Sequence, residues 1–413
     1  MSQKTSIVKL KTQIQPYTWG SRSAIAELQG RPHPSDAPEA ELWIGDHPNG
    51  PSWVVEAAGR TPLRDWCAAR GDDALGQGRT QLPYLVKILA AAEPLSIQLH
   101  PNARQAAEGY AREEAAGIPP GDPKRSYSDP NPKVEALCAL DRFEALCGFR
   151  PGDQVRRLVA NSKSDTATQL LRQVDRGIED EELAGALFRL VLQTSSENVA
   201  LARKLAEEMT RYGQHESDGT AEAMWIGQLA AFHPGDRMLI APLLLNLLVL
   251  ERGDALEVAP NTVHSYLSGT GVEVLTSSDN VVRAGLTRKH VDRDELVQLL
   301  DTRARPPRVC RPTNGDRDDP VSPYPLQTEA FGIKRVVARD GPSQAPLSDG
   351  TGQPRVVVCV RGAFDLVDGE RSTTVSLGAG EAALIPACVS AWALKGDGEG
   401  FLVDPGPQHT QAG

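Results

Sequence analysis

The chain lacks any surplus of positive charge: 44 Lys and Arg stand against 54 Asp and Glu, a net charge of −10 at pH 7. A nucleic-acid surface needs a basic stripe, so no nucleic-acid partner is expected. Cysteine is also sparse. The six (Cys67, Cys138, Cys147, Cys310, Cys359, Cys388) are scattered with no CxxC spacing, so they read as reduced thiols of a cytoplasmic protein, packed as small hydrophobes. No apolar segment follows Met1-Ser2-Gln3-Lys4-Thr5, so no signal peptide is expected. The most apolar stretch runs from Met238 to Leu250 and is interrupted by Pro242 and Asn246. It is too short to span a bilayer and reads as buried core strands, so no membrane partner is expected. Short repeats and low-complexity tracts are absent as well.

What is present is turn-forming residues and β pattern. Gly 37 and Pro 31 make up about one residue in six of the 413, above the usual share of roughly 12%, and the length suits two or three domains. Short apolar runs such as Trp53-Val54-Val55 and Tyr84-Leu85-Val86-Lys87-Ile88-Leu89 mark 1–150 as the first part of a β domain. Helical spacing then takes over: Val155, Leu158 and Val159; Leu183, Leu187, Leu190 and Val191; Val199, Leu205 and Met209. The acidic run Glu179-Asp180-Glu181-Glu182 suits a helix N-terminus. A helical insert is therefore expected over 151–232, with the β domain resuming over 233–305. After Arg305-Pro306-Pro307 and a linker near 341 to 354, a last β unit over 306–413 carries Arg355–Gly362 and Leu377–Ala387.

Gln98 and His100 lie two apart in an apolar run with strand character, so their side chains leave one face roughly 7 Å apart, while Ile97 and Leu99 take the core side. Both reach a single ion at bond lengths of about 2.1 Å. Glu135 and His264 are candidates for the remaining ligands.

Six ordered blocks carry a family resemblance. They are Gln15–Gly20, Glu41–Pro48, Leu82–Leu89, the Gln98/His100 strand, Pro242–Asn246 and Ser278–Thr287. Over these the chain resembles the zinc-dependent type I phosphomannose isomerases, also named mannose-6-phosphate isomerases. The resemblance implies a mainly β fold of cupin-type jelly-roll domains with an α-helical insert domain, the last unit being a degenerate cupin without metal-binding His. It implies that Gln98, His100, Glu135 and His264 match the metal ligands, and that Arg283 matches the catalytic arginine. One Zn²⁺ per chain is expected, because this N/O set without thiolate suits zinc, with Mn, Co or Ni as substitutes. The expected partner is a small-molecule sugar phosphate, and the expected state is a monomer.

The implied reaction interconverts mannose 6-phosphate and fructose 6-phosphate through an enediol, which requires a base and positive charge near the developing enediolate. Lys133, two residues from Glu135, joins Arg283 as a catalytic candidate; Lys133, Glu135 and a metal-bound water are all candidate bases. Arg283 sits in a partly apolar run and needs an anionic partner, either Asp279 or substrate. Lys87, Ser96, Tyr266, Glu273 and Asp279 are candidate substrate contacts. Trp19, Trp43 and Trp66 read as core, and His33, His47, His215, His233, His290 and His409 as surface or core residues.

One segment departs from the family. Where Asn-His-Lys-Pro-Glu is usual, this chain has Pro132 in place of the His and Val134 in place of the Pro. Proline transfers no protons, so a ring-opening role for that His is vacant here. Two rival classes are a cupin oxygenase with a two-His, one-carboxylate iron centre and a non-catalytic sugar-phosphate sensor.

Overall fold

The computed structural model describes residues 5–56, 59–174, 177–193, 196–215, 220–313, 320–339 and 352–406. Met1–Lys4, His409 and the expected linker up to residue 351 lie outside these, as does the side chain of His215.

Two antiparallel sheets carry the chain. One is built largely from the C-terminal strands Phe331–Ala338, Trp392–Pro405, Arg355–Asp368 and Ala382–Ile385. The N-terminal strand Val8–Lys11 joins it, pairing with Ala382–Ile385 on one side and Trp53–Glu56 on the other. The second sheet runs through Arg308–Cys310, Ala255–Val258, Glu135–Ala139, His264–Thr276, Tyr84–Ala91, Glu41–Ile44 and Gln13–Gln15.

The strand His264–Thr276 turns the corner that shapes the site. Its second half, Gly269–Thr276, pairs with Tyr84–Ala91, and Gly271–Leu275 within it also pairs with Glu135–Ala139. Its first half changes partners to Phe143–Phe149 and Ile97–Leu99. Gly269 makes the change, with φ +118° and no room for a side chain: a Cβ would lie 2.7 Å from the Phe143 ring and 2.8 Å from the Arg142 carbonyl oxygen. Only glycine combines that dihedral with so close an approach.

Five helices, Gly152–Ser162, Asp165–Arg172, Asp180–Gln193, Ser196–His215 and Ala221–Phe232, cover the outer face of this corner. Asp180, Glu181 and Glu182 occupy the first turn of the third, where they complement the exposed N–H groups. Val155, Leu183, Leu187, Val191 and Leu205 form one core with Ile97 and Leu99, both fully buried. Each such aliphatic side chain contributes about 1.5–3 kcal/mol on burial, which pins the short strand Ile97–Leu99 and turns Gln98 to the opposite side.

The stretch Met238–Leu250 departs from the all-strand expectation. Its start belongs to a 3₁₀ helix, Arg237–Ile240, followed by a short α-helix, Ala241–Leu244, and only Leu245–Leu250 is a strand. Pro242 sits in the first helical turn, where its missing N–H costs nothing, so this proline starts a helix rather than interrupting a strand. Among the described residues no helix is long and apolar enough to cross a membrane.

Candidate metal centre and active-site cleft

Three ligand-bearing residues meet at the sheet corner. His100 directly follows the strand Ile97–Leu99, Glu135 opens Glu135–Ala139, and His264 opens His264–Thr276. Each is 1% exposed. Their ligand atoms lie within 4.8 Å of one another, the single such His/Cys/Asp/Glu cluster among the described residues. His100 Nε2 is 3.2 Å from Glu135 Oε2, and His264 Nε2 is 3.0 Å from Glu135 Oε1.

The hydrogen bonds around the cluster fix which atoms face inward. His100 Nδ1 donates to the Asn280 carbonyl at 2.8 Å and His264 Nδ1 donates to the Thr262 carbonyl at 2.9 Å. Each Nε2 is thereby left toward the carboxylate, the arrangement that outer-shell carbonyls give metal-binding imidazoles. His264 Nε2 is buried without a hydrogen bond, and Glu135 Oε2 is met only by His100 Nε2 and the Lys133 ammonium, each at 3.2 Å. The Lys133 ammonium reaches Glu135 Oε2 and His100 Nε2 but leaves His264 Nε2 without a hydrogen bond, and two inward imidazole nitrogens around one carboxylate fit a divalent ion with N/O ligands.

Charge reinforces this fit. Burial opposes ionisation of Glu135, but the Lys133 ammonium and the two imidazoles outweigh it and hold the carboxyl well below its usual range. Burial, followed by the Lys133 charge, pushes His100 down to about 4. A neutral imidazole beside an ionised carboxylate needs no proton removed before binding metal at neutral pH.

Gln98 adjoins the cluster by register, opposite His264 on one neighbouring strand and Arg283 on the other. Ser96 Oγ donates to Gln98 Oε1 at 3.1 Å. Both line a cleft of about 720 Å³ together with Lys87, Lys133, Asp279 and Arg283. Lys133 Nζ lies 3.2 Å from Glu135 Oε2 and 3.3 Å from His100 Nε2, which joins the cleft to the metal cluster.

The charged groups of the cleft differ in their partners. Lys87 lies on a central strand, between Glu41–Ile44 and His264–Thr276. Its ammonium is paired with Glu273 at 3.1 Å and Glu41 at 3.4 Å. Burial works against the charge, yet these two carboxylates raise the Lys87 pKa above its ordinary value. Of the two partners considered for Arg283, Asp279 is not the one: its carboxylate meets His47 Nε2 at 3.3 Å and Asn49 Nδ2 at 3.2 Å. Among the described residues Arg283 has no anionic partner, and burial lowers its pKa.

Tyr266 and Glu273 stand behind the cleft wall. The Tyr266 hydroxyl donates to Glu135 Oε1 at 3.3 Å, and its ring packs edge-on to Phe143. Trp66 is core at 1% exposed, whereas Trp19 is half-buried and borders the cleft, stacked on Tyr17 at 5.8 Å. Trp43 is buried yet also borders the cleft. His47, Arg288 and Lys289 were absent from the candidates read in the sequence. Nothing in their local pattern distinguishes them from surface residues, because the fold alone brings Arg288 and Lys289 to the cleft and His47 against Asp279.

The comparisons agree with this geometry. Residues 7–152 match the family model for the catalytic domain of type I phosphomannose isomerase. The mannose-6-phosphate isomerase of Escherichia coli strain K12 is 35% identical over 402 residues, covering 94% of this chain and 97% of that protein. The Homo sapiens protein of the same name is 30% identical over 360 residues, covering 80% and 82%. A crystal structure of zinc-bound mannose 6-phosphate isomerase superposes with a TM-score of 0.85 at 31% identity, covering 98% of this chain and all of that one. The fold is mainly β and of cupin type with inserted helices. The chain belongs to the type I phosphomannose isomerase family.

Proposed function

We propose that the protein interconverts mannose 6-phosphate and fructose 6-phosphate through an enediol, with one zinc ion per chain. The observation that carries this reading is the convergence of His100, Glu135 and His264 in one buried site beside the cleft. These three and Gln98 would hold the ion. When bound, it supplies Lewis-acid charge near the sugar oxygens.

The remaining chemistry falls to the side chains of the cleft. Once its ammonium proton has passed to solvent, the Lys133 amine takes the proton from carbon 2 and returns it to carbon 1; its place in the cleft against the metal cluster supports that role. Arg283, with no carboxylate partner of its own, stabilises the negative charge that develops on the enediolate. Ser96 and Asp279 contact sugar hydroxyls from the cleft wall. Lys87, Glu273 and Tyr266 serve the substrate side less directly, by fixing the charges and the orientation of Glu135.

The cluster and Arg283 come from one chain, which supports a monomer as the working unit. Six unbridged cysteines support a cytoplasmic setting. The working division remains a catalytic β domain over 1–150 and 233–305, a helical insert over 151–232, and a degenerate cupin over 306–413. A coupled assay for fructose 6-phosphate formed from mannose 6-phosphate tests the activity directly.

A further inference from the structure

The departure around Pro132 has a structural counterpart on the strand beside it. Lys133 sits between Pro132 and Val134, and Thr276, the last residue of the strand His264–Thr276, bonds to both of these neighbours. Thr276 Oγ1 donates to the Pro132 carbonyl at 2.8 Å and accepts from Val134 N–H at 3.0 Å. Its backbone N–H donates to the Val134 carbonyl at 3.0 Å. One residue therefore brackets Lys133 from both sides.

The bracket depends on residues particular to this chain. A proline at 134 would offer no N–H to the Thr276 hydroxyl, so that bond exists because valine stands there. Pro132 holds its own φ at about −65° and still presents the carbonyl that the hydroxyl uses. The stretch before it is fastened separately. The Asn280 side chain, 0% exposed, accepts from Ser128 N–H at 2.7 Å and donates to the Asp129 and Asn131 carbonyls at 2.7 and 2.8 Å. Past Asn131, Thr276 takes over until Glu135 opens its strand.

We propose that Thr276 is a positioning residue that holds Lys133 against the metal cluster. This rests on the reading of Lys133 as the base. Lysine has a flexible four-carbon stem, and Lys133 reaches Glu135 Oε2 at 3.2 Å and His100 Nε2 at 3.3 Å from a backbone outside the named strands. A base must stand within hydrogen-bond reach of the proton it takes, and a misplacement of about 1 Å costs up to about 10²-fold in rate. Fixing the backbone on both sides of Lys133 removes that slack at its root.

The test compares wild-type, Thr276→Val and Thr276→Ser proteins loaded with zinc. Valine keeps the branched shape and strand preference of threonine but loses both hydroxyl bonds. The groups it frees lie on half-buried residues within reach of water, so the fold is expected to survive. Amines are labelled with acetic anhydride and followed by peptide mass spectrometry, with Lys87, also 8% exposed, as the internal reference. Thr276→Val is expected to speed Lys133 labelling by about fivefold or more, through local opening, while Lys87 is unchanged. Steady-state kinetics on mannose 6-phosphate should show kcat lowered by about ten- to hundredfold while KM moves far less. Thr276→Ser keeps the hydroxyl and should stay close to wild type in both measurements. Unchanged Lys133 labelling in Thr276→Val would overturn the assignment whatever turnover does. Equal acceleration in Thr276→Ser would overturn it too, because the hydroxyl would then not be the holding group. Faster labelling in Thr276→Val alone, with kcat unchanged, would uphold the bracket and reject Lys133 as the base.

Discussion

Arg283 stands opposite Gln98 across an antiparallel strand pair, which places a cation without a carboxylate partner among the described residues beside the metal cluster. The register makes a distinction that mutation can read. Arg283 is expected to act on transition-state charge and not to hold metal, so Arg283→Ala should keep zinc and fold while turnover falls by about two orders of magnitude or more. Arg283→Lys should recover only part of it, lacking the planar fork. Near-normal turnover in the alanine variant, with zinc retained, would demote Arg283 to a structural role.

Removal of a ligand should behave in the opposite way. Glu135→Ala and His264→Ala are each expected to lose bound zinc together with activity, because each takes away one of the inward-facing donors at 1% exposure. Metal analysis of the purified variants settles the matter, and stoichiometric zinc in both would sink the proposed centre.

The salt-bridged Lys87 makes a prediction about stability. Lys87→Met leaves Glu41 and Glu273 as close, buried carboxylates without their shared cation. Breaking a buried pair from one side costs about 3–5 kcal/mol, so the denaturation midpoint should drop markedly even before activity is considered. A midpoint within error of wild type would show that the two carboxylates find other compensation.

Pro132 supplies a further test. With Lys133, Arg283 and the metal residues all in place, the protein is expected to be active, and Pro132→His should raise turnover by less than about tenfold. General acid/base help is worth about 10²- to 10⁴-fold when it is missing and needed. A gain of several hundredfold would mean that ring opening limits the natural protein and would favour the sensor alternative.

Much of the metal centre was legible because alternation is a local signal. Ile97 and Leu99 are fully buried and Gln98 faces the cleft, as the period-two pattern requires. The helical spacing of Leu183, Leu187 and Val191 was equally direct. Less legible were features set by long-range pairing. The ion pairs of Lys87 join residues of three strands, and the Asp279–His47 contact joins residues far apart in the chain. Local patterning carries no trace of either. The Met238–Leu250 stretch misled because an apolar run fits a buried strand and a buried helix alike, and only the position of Pro242 in a first turn separates them.

The most direct measurement of the central claim is a coupled isomerase assay on metal-stripped protein, before and after reloading with one equivalent of zinc. The account predicts negligible conversion of mannose 6-phosphate to fructose 6-phosphate in the stripped protein, recovery on reloading, and no recovery in Glu135→Ala. Full activity without metal, or none after verified stoichiometric reloading, would contradict it.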